Sequence, residues 1–155
     1  MSIRAEIVDT GVEYFYQAKL IIEKPAQEIF DFVARPNNHS KIDGSGMVRG
    51  KLVGPEKLYL GAKFGMKMKQ GIPYLIKNQV IEFQEGRVIA WQHLLHNVWR
   101  YEFRQVSPNQ TEVIESWDGT NARAMWWIKK RKPWFWVPKA MGKSLVNLKK
   151  LLEND

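Results

Sequence analysis

Apolar and polar residues alternate most cleanly in two stretches of the chain. In Lys63–Lys69, Phe64, Met66 and Met68 fall on one side, and Lys63, Lys67 and Lys69 on the other. In Val98–Val106, Trp99, Tyr101 and Phe103 oppose Arg100, Glu102 and Arg104. A period of two is that of a strand with one covered face and one wet face. Further strand-like runs occupy Glu13–Lys24, Met47–Val53, Ile76–Phe83, Arg87–Leu94 and Thr111–Asp118. Gly54-Pro55-Glu56, Gly71-Ile72-Pro73, Glu85-Gly86 and Ser107-Pro108-Asn109 punctuate them as turns, with Asp43-Gly44-Ser45-Gly46 a tight loop. Two stretches change period. Ala26–Val33 groups Ile29, Phe30 and Val33 against Gln27, Glu28 and Asp31, which predicts a short helix opened by Pro25 and stopped at Arg35-Pro36. Asn37 to Ser40 adds a turn or second short helix. Pro133–Leu152 repeats apolar residues at Val137, Met141, Leu145, Leu148, Leu151 and Leu152, with Ala140 between them. That is one long amphipathic helix, with Pro138 expected in its first turn.

Strand, helical pair, about six strands and a long helix is the order of an α+β domain, with helices on one face of an antiparallel sheet. A chain of 155 residues with 45% apolar content fits a single domain over residues 1–155. The absence of cysteine excludes disulfides, thiolate metal sites and cysteine nucleophiles, and suits a reducing cytoplasm. Arg4, Glu6 and Asp9 leave no apolar core for a signal peptide, and no stretch approaches the roughly 18 apolar residues of a membrane span. The expected location is cytoplasmic.

Leu20-Ile21-Ile22-Glu23-Lys24-Pro25-Ala26-Gln27-Glu28-Ile29-Phe30-Asp31-Phe32-Val33 resembles the opening of the START/polyketide-cyclase (SRPBCC) superfamily, a strand followed by a proline-led helix. Ile42-Asp43-Gly44-Ser45-Gly46 is similar to the loop after the helical pair in uncharacterised bacterial members. Trp99-Arg100-Tyr101-Glu102 and Thr111-Glu112-Val113-Ile114-Glu115-Ser116-Trp117-Asp118 look like their last two strands. The resemblance runs from about Tyr14 onward. It implies a helix-grip fold: a curved antiparallel sheet gripping the C-terminal helix over a cavity for an apolar or amphipathic molecule, with no cofactor. The superfamily includes lipid carriers, cyclases and hormone receptors, so the fold does not choose the function.

A face bearing Phe64, Met66, Met68, Trp99, Tyr101 and Phe103 is too apolar to leave in water, at about 25 cal/mol per Å². Taken singly, each of these is a core residue; taken as a group in this fold, some should line the cavity. If Tyr101 faces inward, register carries Val113, Glu115 and Trp117 to the same side. An inward Glu115 needs a hydrogen-bond partner or a proton. His93 shares the alternation of Trp91. The expected ligand-binding set is therefore Phe64, Met66, Met68, Trp91, His93, Trp99, Tyr101, Phe103, Glu115, Trp117, Met141 and Leu145. His93 and Glu115, near Tyr101, could supply acid–base groups to a cyclase or dehydratase. The alternatives are that they only orient a ligand, or that a one-residue slip turns them to solvent. His96, Arg100 and Asp118 are further polar candidates. No metal is expected: His93 and His96 lack a third ligand. The chain also lacks a phosphate loop and a nucleophile elbow.

Charge changes the picture at one place. The net charge is +8, of which the nine Lys/Arg and two Asp/Glu from Arg123 to Asp155 supply +7. Trp126, Trp127, Lys129, Lys130, Arg131, Lys132, Trp134 and Trp136 fall close together there. The run is either a bent connection with packed tryptophans and solvated charge, or a peripheral contact with an anionic membrane, such as the inner membrane face. Nucleic acid uses the same ingredients, but no recognition motif accompanies them.

Overall fold

The computed structural model describes residues 2–48, 53–70 and 72–154, and the side chains of residues 66–70 and 72–76 lie outside the described residues. Its strands are β1 (Glu6–Val8), β2 (Phe15–Ile22), β3 (Lys63–Gln70), β4 (Ile72–Gln84), β5 (Val88–His93), β6 (Val98–Ser107) and β7 (Gln110–Asp118). All pair antiparallel in one sheet of order β1-β2-β7-β6-β5-β4-β3. The helices are α1 (Ala26–Val33), a 3-10 turn (Pro36–Asn38), α2 (His39–Ile42), α3 (Met125–Lys130) and α4 (Pro133–Glu153). The fold class is the α+β arrangement read from the sequence.

Alternation decides which faces are covered. Trp91, Tyr101, Phe103, Val113, Glu115 and Trp117 are all buried, whereas Arg100 stays on the opposite face in ion pairs with Glu82 and Glu102. Helix α1 buries Ile29, Phe30 and Val33 without exposure, and its chain stops where Arg35 precedes Pro36. Helix α4 lies against β2 and buries Val137, Met141, Leu145 and Leu148 completely. Phe30 meets Phe103 edge-on at 5.7 Å between ring centroids, which closes this end of the core.

Several expectations need correction. Pro133, not Pro138, takes the first position of α4; Pro138 sits inside the helix and withholds the N–H that would reach the Trp134 carbonyl. Leu151 is off the buried stripe, with 38% of its surface exposed, because one helix face cannot hold both it and Leu152. The strand expected over Met47–Val53 falls partly on residues 49–52, outside the described residues, and Val53 makes only an isolated bridge to Gly65. Strand β1 is too short to announce itself by alternation. Strand β2 begins at Phe15 because Tyr14 is left-handed (φ 61°). The basic connection contains α3, and both α3 and α4 start on left-handed residues that are not glycine, Ala124 (φ 52°) and Lys132 (φ 51°). Each such residue costs about 1–2 kcal/mol.

Candidate functional site

Register brings the site's sheet wall together. Trp91 stands opposite Trp99, Trp99 opposite Trp117, and Tyr101 opposite Glu115. Members of each pair share a face, and residues two apart along each strand do too. These five side chains form one wall of a cavity of about 1080 Å³. The facing wall comes from Ile42, Met47, Ile128, Trp136 and Ala140, on α2, the loop after it, α3 and α4. His39 stacks on Trp91 at 4.9 Å and Trp91 on Tyr101 at 5.8 Å, a continuous run of rings. Tyr16 of β2 stacks on Trp117 at 5.7 Å.

The loop that closes the lower wall is tied at both ends. Asp43 accepts the Ser45 N–H at 3.0 Å, the Ser45 hydroxyl at 2.6 Å and the Val48 N–H at 2.8 Å. The Gly44 N–H donates to Ser144 Oγ on α4 at 2.8 Å. Glycine is required at 44: a Cβ there would run into the Ala140 carbonyl and the Ser144 backbone nitrogen.

Beneath the aromatic wall lies a polar floor whose charged forms burial disfavours. Burial raises the Glu115 carboxyl well above the ordinary carboxylate range; the Tyr101 hydroxyl bonded to it works the other way, and the charge of Asp43 adds to the rise. Burial also raises the Tyr101 phenol, with Glu115 as the next cause. His39 is lowered to about 4 by burial, against the opposing effect of its bond to Val33. His93 is lowered to about 4 by burial and then by the charge of Arg131. His39 Nε2 lies 2.8 Å from the Val33 carbonyl, which only accepts, so the proton is on Nε2 and Nδ1 offers a lone pair. His39 Nδ1, Trp91 Nε1, His93 Nδ1 and Glu115 Oε2 are buried without a hydrogen-bond partner among the described residues. So are both side-chain amide atoms of Asn78, which pairs with His93 across β4 and β5. Buried polar atoms are ordinarily paired, so this floor of orphaned donors and acceptors sets the site apart from the packed core.

The sequence-derived candidates divide into groups. Trp91, His93, Trp99, Tyr101, Glu115 and Trp117 line the cavity. Phe64, Phe103, Met141 and Leu145 do not: they lie in the packed core, Met141 and Leu145 where α4 rests on β2, Phe103 against Phe30 of α1, and Phe64 against the His39 and Trp91 rings. The side chains of Met66 and Met68 lie outside the described residues. His96 occupies the β5–β6 turn with φ 65°, and Asp118 caps the turn at Thr120. In the basic run, Trp127, Lys130, Arg131 and Trp136 line the cavity's edge, and the Trp136 indole donates to the Arg131 carbonyl at 3.1 Å. Trp126, Lys129, Lys132 and Trp134 are exposed. Sequence reasoning missed His39, Asp43 and Lys77 as wall residues. Nothing local marks them, since each reaches the cavity only through tertiary placement. Among the described residues no three His, Asp or Glu side chains gather into a metal-ligating set, and no helix is long and apolar enough to cross a membrane.

No family model matches the chain. An uncharacterized protein of Mycobacterium tuberculosis strain H37Rv, Rv0088, is 43% identical over 98 residues, 63% of this chain and 44% of that protein. The chain thus spans less than half the length of the curated relatives it matches. Among solved structures, protein Ms6760 from Mycobacterium smegmatis superposes with TM-score 0.68 and 12% identity, over 98% of this chain and 99% of that one. Norcoclaurine synthase from Thalictrum flavum, in complex with dopamine and hydroxybenzaldehyde, superposes with TM-score 0.62 and 13% identity, over 91% and 87%. The chain has the helix-grip fold. At these identities the likeness concerns the fold alone.

Proposed function

We propose that this helix-grip protein is a member of the START/polyketide-cyclase superfamily that holds a hydrophobic small molecule or lipid between its sheet and α4. One observation carries the reading: a cavity of about 1080 Å³ with aromatic walls is underlain by buried polar atoms that have no partner among the described residues. Its size lies just above the usual range of small-molecule pockets, roughly 300–1,000 Å³, with room for a lipid-sized guest. Burial of apolar ligand surface would supply affinity, and the Tyr101–Glu115 pair with His93 would orient the polar end. Native mass spectrometry of the purified protein tests this. A bound adduct is expected, or saturable uptake of the dye 1-anilinonaphthalene-8-sulfonate, with Ala140→Phe suppressing both by filling the space. Protein that carries no adduct and takes up no dye would overturn the proposal.

A second reading is favoured by Glu115 itself. A carboxyl that burial inclines toward its neutral form, with one oxygen left without a hydrogen-bond partner among the described residues, has the makings of a general acid. The norcoclaurine synthase structure, solved with two aromatic compounds, supports enzymatic use of this architecture. On this reading the protein is a cyclase or dehydratase with His93 as the partner base. Glu115→Gln should then keep the adduct while ending any change in its mass over time. An adduct whose mass never changes with the wild-type protein excludes the enzyme.

A further inference from the structure

The edge of the cavity and the most exposed apolar patch are made by the same piece of chain. Trp127 and Trp136 line the cavity, while Trp126, Trp134 and Phe135 take no part in that wall and are 71%, 49% and 67% exposed. Lys129, Lys130, Lys132 and Lys139 are exposed around them, and no ion pair engages these four among the described residues. Large aromatics standing in water beside unneutralised cations are a poor surface for a free protein and a good one for an anionic interface.

We infer that the α3–α4 elbow docks on an anionic lipid bilayer. Trp126, Trp134 and Phe135 enter the headgroup zone while Lys129, Lys132 and Lys139 meet lipid phosphates. Charge complementarity selects this occupant: the segment from Arg123 onward holds +7 of the net +8. A nucleic acid fits less well, because stacking needs a bare ring face, and Lys139 Nζ already covers Phe135 at 4.5 Å from its centroid. Docked this way, the cavity edge at Trp127 and Lys130 abuts the bilayer, so an apolar guest passes between lipid and protein without crossing water. Docking rests on the surface alone; that passage rests also on the proposed function.

Vesicle flotation of the full chain tests it. The protein should float with phosphatidylcholine vesicles containing phosphatidylglycerol, stay behind with phosphatidylcholine alone, and release at high salt. Trp126→Ser with Phe135→Ser, and separately Lys129→Glu with Lys132→Glu, should each lower the bound fraction about tenfold. The charge-matched control Lys63→Glu with Lys150→Glu, away from the elbow, should stay within about twofold. Circular dichroism confirms folding, and retained dye uptake shows that a failure of docking is not a failure of the cavity. Indifference to anionic lipid overturns the inference, as does equal loss in the control pair. Full binding by the Trp126/Phe135 variant, or capture of a single-stranded oligonucleotide with none of vesicles, overturns it too.

Discussion

The two ends of the sheet are covered by one helix in opposite ways. Toward the C-terminus of α4, Leu145 and Leu148 press on the core that holds Phe30, Phe103 and Val113, and among the described residues no buried polar atom is stranded there. Toward its N-terminus, Trp136, Ala140 and Ser144 face Trp91, Trp99, Tyr101 and Trp117 across open space. Branched aliphatics and phenyl rings interdigitate to crystal-like density. Indoles and a phenol with polar tips stack into a wall instead, and the Trp91 indole N–H is left without a partner among the described residues. Every orphaned buried polar side chain among the described residues belongs to the open end or pairs with a residue that does. Dense packing lies at one end and open space at the other, and the proposed function assigns binding to the open end.

The largest expected effect breaks the closed end. Leu145→Ala should lower the unfolding free energy by about 2–5 kcal/mol in urea titration while leaving dye uptake unchanged once folded. Trp99→Ala should do the reverse, because Trp99 is half-buried and lines the cavity. Equal destabilisation by both would erase the distinction between the ends.

Acidification should act on the open end. His39 and His93 have folded values near 4, below the unfolded 6.5, so the unfolded chain takes up more protons between them and stability falls as pH drops through that window. Each histidine contributes about 3 kcal/mol at full titration. Glu115 runs the other way: its folded value is raised, so its contribution is present below the unfolded carboxylate range and is lost as pH rises toward the folded value. Glu115→Gln should therefore raise stability at neutral pH and steepen the acid loss, read from denaturation midpoints across the pH range. A flat profile in both proteins would show that these groups are not buried as described.

Smaller effects sharpen the contrast. Tyr101→Phe removes the hydroxyl bonded to Glu115 and should cost about 1 kcal/mol, with a matching upward move of the Glu115 titration seen by carbon NMR. Arg100→Ala, on the outer face in part-exposed ion pairs with Glu82 and Glu102, should cost under about 1 kcal/mol and leave dye uptake untouched.

Period and punctuation made most elements legible. Ala26–Val33 was readable to its last residue because a proline opens it and another follows its end. The inward face of Glu115 and Trp117 followed from one assumption about Tyr101, since antiparallel register fixes the rest. Alternation states only which face is covered, not whether the cover touches. Phe103 and Trp99 sit on the same face of β6, yet one is core and the other wall, because Phe30 of α1 meets Phe103 while Trp99 faces open space. His39 and Asp43 were illegible for the same reason: a helix of four residues and the loop after it acquire a direction only from the surfaces they lean on.

The bond from the Gly44 amide to Ser144 Oγ fastens the floor loop to the helix above it. Glycine at 44 leaves no slack between the two backbones, so a shift of α4 would be passed directly to the loop. A guest large enough to lift α4 would drag residue 44 with it and pull on the neighbouring Asp43, whose carboxylate knots the loop. Occupancy would thus be written into the loop's own hydrogen bonds, where amide exchange at Ser45 and Val48 could read it.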